Sequence, residues 1–530
     1  MDNTVLDQPI INPVNSKGHP RGLYVLFATE MWERFNYYGM RAVLVLFMTK
    51  ALLFDKVFAS NLYGSYTGLV YLTPLIGGYV ADRYWGNKRS IIAGGLVMAI
   101  GELLLFFCGS VYQHSQTLSS ILFFSGLGVI IAGNGFFKPN ISSLVGQLYP
   151  KGDRRIDAAY TIFYMGINVG GALGPFVCGL VGDTGNPADF KWAFFAAGIG
   201  MLLSVVVQKL YQKKYIVDPE GRELGNTPET SHVLLNDSNT KVSSSKSIWL
   251  NPIFIVVLLA ICSALSIGIL YVDAKVFSFL SYLLLGSVLF IAFILFFDRT
   301  LTKTEKQRIG VIFIVSFFVI FFWSAFEQAG ASLTFFAEEQ TQRHIGNITI
   351  PASVFQSVNS MFIIIFAPIL AWFWLKLGNK EPASPTKMAI GLFLLALGYL
   401  WIAFGVKDVA PGVKVSMIWL IGMYLLHTLG ELSLSPIGLS LVNKLAPFKF
   451  ASLLMAVWFL ANAAANKLAG VLSALYPEKG KVTSFFGYQM HNLHEFFMLF
   501  VFMAGASSII LFLLTKQLQK MINMPASDSQ

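Results

Sequence analysis

The chain is short of charge. Only 12% of its 530 residues are Asp, Glu, Lys or Arg, where an ordinary soluble protein carries about 25%. That is too little to cover the surface of a water-soluble molecule of this size. Cysteine is scarcer still. Cys108, Cys178 and Cys262 each sit inside an apolar run and read as small buried hydrophobes, which excludes a disulfide scaffold and a cysteine metal site. There is no Walker A loop, no zinc-protease motif and no nucleophile elbow, so ATP-driven transport and membrane hydrolysis are poor readings and no enzyme is expected. Residues 1–20 hold no continuous apolar core, so no cleaved signal peptide is expected.

What the chain has is apolar length. Hydrophobic residues make up 55% of it, with 47 Phe and 10 Trp. A bilayer core of about 30 Å needs about 20 apolar residues per helix. Runs of that length recur fourteen times, from 22–50 through an unbroken 309–337 to 492–516. They are about twice as long as barrel strands and do not alternate, so they predict helices. The expectation is an all-α polytopic membrane protein. Its formal charge of +10 could suggest nucleic acid. The basic residues, however, are scattered through short loops, the pattern of a topology signal rather than a phosphate-binding patch. They crowd into the loops on one side, which predicts that both termini are cytoplasmic.

One long polar linker, 211–247, follows the sixth span. Such tethers join six-helix halves in transporters built from repeated bundles. The predicted organisation is a tail at 1–21, a six-helix bundle at 22–210, the linker at 211–247, an inserted two-helix hairpin at 248–298, a second bundle at 299–517 and a tail at 518–530. A faint repeat fits: Trp85-Gly86-Asn87-Lys88-Arg89 after span two corresponds to Leu377-Gly378-Asn379-Lys380 in the second half.

The first span carries Glu30, Glu33, Arg34 and Arg41. Each charge costs about 2.5–3.5 kcal/mol near the middle of a membrane helix. At ~100° per residue these four, with Tyr37 and Tyr38, fall on one face, which therefore points at a polar cavity. Ion pairs that merely hold helices together would explain paired charge. Two acids so close to one base, however, leave an acid free to exchange a proton.

Other spans add Asn134 and Lys138, Tyr164 and Asn168, Trp323 with Glu327 and Gln328, Asn359, Glu431, and Trp458 with Asn462. A lysine at such depth needs an anionic partner or ligand. The first half offers mostly cations and a proton-exchanging acid, the second mostly acids. A cavity with walls of opposite sign suits a zwitterion. Glu102 shows no partner in the sequence and reads as a helix contact. His427 reads equally as proton relay or packing residue, His491 and His494 lack companion metal ligands, and Lys467 is unexplained.

These stretches carry a resemblance. Gly78, Asp82-Arg83, Gly86 and Lys88-Arg89 resemble the loop signature of the major facilitator superfamily. Glu30-x-x-Glu33-Arg34-Phe35 with Tyr37-Tyr38-Gly39 resembles the first-helix motif of the proton-dependent oligopeptide transporters. Phe163-Tyr164 with Ile167-Asn168 and Gly170, Gly135 to Asn140, Phe322-Trp323 through Glu327-Gln328, and Gly430-Glu431 are similar to further motifs of that family.

The resemblance implies a major facilitator fold of two six-helix bundles plus the inserted pair. It implies a proton-coupled symporter that imports di- and tripeptides by alternating access, with no cofactor beyond the proton as coupling ion. A bacterial inner membrane and a monomer are implied too. Glu30, Glu33, Arg34 and Glu327 are implied to couple protons. Lys138 would exchange salt-bridge partners with Glu33 and help hold the peptide carboxylate, and Arg41 would pair with Glu327 as a gate. Glu431 would take the peptide amino terminus. Asn168 and Asn359 would bond its backbone, and Tyr37, Tyr38, Tyr71, Trp323 and Trp458 would line side-chain pockets, with Asn462 beside them in the substrate site. Animal members carry a His seven residues before the Tyr71-Leu72-Thr73-Pro74 run. Gly64 stands there in this chain, so coupling would rest on the carboxylates alone. A carrier for nitrate or another small anion is the alternative, against which Glu431 argues. A non-transporting membrane sensor is another, and it would need a folded soluble domain that 211–247 is too short and polar to supply.

Overall fold

The computed structural model describes residues 18–150, 152–227, 251–276, 278–410, 412–478 and 481–523. Apolar length sets the helices and polar caps set where several of them begin. The first bundle comprises α1 (Arg21–Lys50), α2 (Lys56–Val80), α3 (Asn87–Val111), α4 (Gln116–Gln147), α5 (Ile156–Gly182) and α6 (Phe190–Tyr215). The inserted pair is α7 (Pro252–Lys275) and α8 (Phe279–Phe297). The second bundle comprises α9 (Lys303–Phe326), α10 (Ser332–Glu339), α11 (Ser357–Leu377), α12 (Ser384–Gly405), α13 (Ile418–Leu445), α14 (Ala451–Ser473) and α15 (Leu493–Ile522).

Asp55 and Ser115 cap α2 and α4 through their side chains, and Thr302 with Glu305 closes a capping box on α9. Strands among the described residues are two or three residues long and lie in loops, such as the Thr483–Phe485 and Tyr488–Met490 hairpin. Among the described residues, counting α9 and α10 as one crossing gives fourteen spans. Eleven helical segments among the described residues are apolar enough to cross a bilayer on composition alone. α1 is not among them, and it is the helix with four ionisable side chains at mid-length.

Three sequence expectations change. The run 309–337 is not one helix: α9 stops at Phe326, residues 327–330 form a 3-10 turn, and α10 resumes at Ser332. α6 continues to Tyr215, inside the segment read as linker, and α15 continues to Ile522, inside the expected tail. The early linker is also not a free tether. The backbone N–H of Lys88 donates to Gly225 (3.0 Å) and Lys88 pairs with Glu223, which docks residues 216–227 on the α2–α3 loop. Residues 1–17 and 228–250 lie outside the described residues.

The repeat has a conformational counterpart. Gly86 (φ +73°) and Gly378 (φ +49°) both occupy the left-handed region that a side chain disfavours, so each turn after the second helix of a half needs its glycine.

Within the first bundle α1 packs on α5 and α6, and α3 on α4. In the second, α12 packs on α13 and α15. The bundles meet along α2 with α14 and α5 with α11. The polar contacts that tie them together gather at the end away from the chain termini. Lys50 pairs with Glu338 (2.6 Å), Lys56 with Glu339 (2.5 Å), and Asp183 accepts from Ser353 N and Oγ (3.2 and 3.1 Å). The molecule is closed at that end.

Candidate functional site

Between the bundles lies a cavity with about 780 Å³ of empty space, part of it continuous with open solvent. Three helical stripes build most of its wall. α5 supplies Tyr164, Ile167, Asn168, Gly171 and Pro175; α11, with the 3-10 turn before it, supplies Gln356, Asn359, Ser360 and Ile363; α13 supplies Tyr424, His427 and Glu431. Each set recurs at three- and four-residue steps, the spacing that keeps side chains on one face. Tyr38 and Arg41 of α1, Tyr71 of α2, Trp323 and Phe326 at the end of α9, and Glu327 and Ala329 of the turn after it complete the wall.

The break in the ninth span positions Glu327. Discontinuous helices at mid-depth put side chains and freed backbone groups at transporter sites. Here the turn 327–330 places the carboxylate against α1, where Glu327 Oε2 lies 2.9 Å from Arg41 Nη1. Both residues are buried. A side chain on Gly330 would collide with the Tyr63 hydroxyl, so the turn closes on α2 only because that position is glycine.

A second charged cluster sits deeper in the first bundle. Arg34 Nε lies 3.0 Å from Glu30 and 2.5 Å from Glu33, and Asn134 donates to Glu33 Oε1 at 3.1 Å. One guanidinium thus serves two carboxylates. All three charged side chains are almost fully buried, where an unpaired charge costs several kcal/mol. Lys138 has its Nζ 4.3 Å from the centroid of the Tyr71 ring, and no carboxylate oxygen lies within 4 Å of it among the described residues.

The cations therefore relate to the cavity in two ways. Arg41 lines it. Arg34 and Lys138 stand one aromatic ring back, Arg34 against Tyr38 (6.0 Å to the centroid) and Lys138 against Tyr71, and both tyrosines line the space. Tyr37 is buried between the guanidinium groups of Arg34 and Arg41, each 5.5 Å from its ring centroid. Across the cavity, Glu431 Oε2 accepts from Asn359 Nδ2 at 3.1 Å, and the same amide donates to Thr428 at 3.0 Å. No cation faces Glu431 within 4 Å among the described residues.

Of the residues singled out in the sequence, Tyr38, Arg41, Tyr71, Asn168, Trp323, Glu327, Asn359 and Glu431 share this one wall. Glu30, Glu33, Arg34, Tyr37 and Lys138 adjoin it from behind. Trp458 and Asn462 do not line it, and the Asn462 amide donates to Trp458 O at 2.9 Å along α14. His427 joins the wall and packs on Tyr399 (4.7 Å between centroids). Glu102, left without a partner in the sequence, accepts from Asn36 Nδ2 at 3.0 Å inside the first bundle. Gln356, Ser360 and Tyr424 were missed. Tyr424 stands three and seven residues before His427 and Glu431, a stripe that marks it.

A sequence model described as the POT family matches residues 88–488. The uncharacterized transporter YclF of Bacillus subtilis is 37% identical over 491 residues, covering 91% of this chain and 93% of its own length. The peptide transporter YePEPT of Yersinia enterocolitica is 35% identical over 470 residues, covering 86% and 88%. A di-/tripeptide transporter of Lactococcus lactis is 32% identical over 485 residues, covering 88% and 92%. Among solved structures, a mutant of the peptide transporter POT in complex with alafosfalin aligns with a TM-score of 0.77 at 30% identity, over 97% of this chain and 98% of that one.

Proposed function

Since the chain belongs to the POT family, we propose that it is a proton-coupled symporter that imports di- and tripeptides by alternating access. The observation that carries this reading is the cavity's polarity. Glu431, held by a neutral amide, stands on one side, while Arg41 lines the space and Arg34 and Lys138 back its tyrosine lining. A zwitterionic peptide presents an ammonium to the first and a carboxylate to the others.

Coupling follows from charge accounting. In a low-dielectric site an acid stays ionised only while a cation or hydrogen-bond donors face it. Arg34 holds both Glu30 and Glu33. A peptide carboxylate that draws Arg34 or Lys138 toward the cavity leaves an acid to take up a proton, so peptide and proton bind cooperatively. Arg41 and Glu327 join the bundles, and protonating Glu327 or engaging Arg41 with substrate releases that link. The rocking of one bundle against the other then exposes the cavity on the opposite side. Trp323 and Tyr71, with Tyr38, supply surface for side chains, and Asn168 and Asn359 face the peptide backbone. Trp458 and Asn462 would join the site only in another stage of the cycle.

The lysine and arginine bias supports cytoplasmic termini, and bacterial relatives support placement in a bacterial inner membrane. With that orientation the closed end faces outward. The protein would act as a monomer, with the proton as coupling ion and no cofactor. We propose the same organisation of two bundles, linker and inserted hairpin, with the bounds at 210 and 517 moved to the ends of α6 and α15.

Competition for labelled dialanine uptake tests the substrate class. Unlabelled di- and tripeptides should compete, and free amino acids and nitrate should not. Competition by nitrate with none by peptides would favour an anion carrier.

A further inference from the structure

Lys467 lies on α14, about 180° around the helix from Trp458 at ~100° per residue. It is 2% exposed. Its Nζ is 2.6 Å from Asp273 Oδ2 and 2.8 Å from Ser65 Oγ, and the Ser65 hydroxyl also donates to that Asp273 oxygen. The other oxygen, Oδ1, accepts the backbone N–H of Leu280 at 2.8 Å. Asp273 and Ser65 are both fully buried.

The three side chains belong to three bodies. Ser65 is on α2 of the first bundle, Lys467 on α14 of the second, and Asp273 on α7 of the inserted hairpin, whose turn into α8 the Leu280 bond closes. α7 packs on α2 and α4, and α8 packs on α14. The hairpin therefore straddles the seam between the bundles.

That seam is built for close approach. A Cβ on Gly64 would lie 2.7 Å from Gly470 Cα, and one on Gly68 would lie 3.1 Å from Ala463 O. Backbone meets backbone beside the cluster, at the level where the molecule is closed. When α2 and α14 part there, Ser65 must leave Lys467. Asp273 can keep only those partners that move with the hairpin.

A buried ion pair adds little net stability, because desolvation offsets its attraction, whereas removing one partner strands a charge. The pair is thus better suited to choosing between arrangements than to strengthening the fold. The cavity residues do not touch it.

We propose that Asp273 of the inserted hairpin, with Lys467 and Ser65, forms a second gating lock, separate from the substrate cavity, that holds the α2–α14 seam closed at the end away from the termini. The inserted pair thereby sets the resting conformation of the two bundles. This rests on the alternating-access reading of the family, yet it concerns a distance rather than a flux.

Spin labels at Gln113→Cys and Val413→Cys, both exposed in loops at the closed end of opposite bundles, report that distance by double electron–electron resonance. The full-length protein in nanodiscs, with the native cysteines replaced by alanine, is the sample. Lys467→Met should raise the long-distance population several-fold. Ser65→Ala, which leaves the ion pair intact and carries little folding risk, should move it the same way by less. Unchanged or shorter distances in Ser65→Ala and in every Lys467 variant that stays monodisperse would overturn the lock. A shift in distance without any peptide uptake would leave the lock standing and remove only the transport reading.

Discussion

Arg41 of the first bundle and Glu327 of the second meet at 2.9 Å, both buried, at the point where the ninth span ceases to be an α-helix. The contact lies on the cavity wall and crosses between the bodies that must move. Charge, cavity wall and helix break therefore coincide at one pair.

Glu327→Gln tests that coincidence. It leaves Arg41 buried without its counter-charge, a situation worth about 3–5 kcal/mol in other proteins. Gradient-driven uptake should fall by at least about tenfold, while exchange of labelled for unlabelled peptide without a gradient should fall less. Equal losses in the two assays would mean that the pair shapes the binding site and does not gate it.

Glu431 is the proposed anchor for the peptide ammonium. Replacing it with Gln keeps the shape and the Asn359 contact but removes the charge. A charge-assisted bond worth about 2 kcal/mol corresponds to roughly 30-fold in half-saturation for zwitterionic dipeptides. N-acetylated dipeptides should change little. Comparable losses for both would reject the assignment.

Gly64→Ala should hinder closure of the seam, because its Cβ would sit 2.7 Å from Gly470 backbone. A larger side chain at this position would collide further with the same backbone. Disulfide trapping between cysteines placed across the α2–α14 crossing should slow several-fold in Gly64→Ala. Unaltered trapping would show that the seam has slack.

Glu102 makes a fourth case. It is fully buried, its partner is Asn36 at 3.0 Å, it does not line the cavity, and no ion pair within 4 Å reaches its carboxylate among the described residues. Glu102→Gln should keep uptake within about twofold, since the amide keeps the shape and an oxygen to accept from Asn36. The pH profile of uptake should not move. A displaced profile would make Glu102 part of the proton path.

Much of this was legible in the chain. Glu30, Glu33, Arg34 and Arg41 betray a polar face because charge at mid-bilayer depth is too costly to be incidental, and apolar run length sets the helix number. Helix periodicity could also have yielded Tyr424, in line with His427 and Glu431. The break at 327–330 was not legible, because Gln328-Ala329-Gly330 interrupts an apolar run too briefly to override its length. Nor was the role of Lys467. Its partners Asp273 and Ser65 come from distant segments, and no spacing rule links residues that only folding brings together. The screening of Arg34 and Lys138 behind Tyr38 and Tyr71 likewise depends on rotamers and packing, which periodicity does not contain.

The central claim is that peptide and proton move together through one cavity between the bundles. Its most direct test is uptake of labelled dialanine by protein reconstituted in liposomes with an inward proton gradient. Accumulation above the external concentration, abolished when an ionophore collapses the gradient, is the expected result. Uptake that proceeds equally with and without the gradient would contradict it.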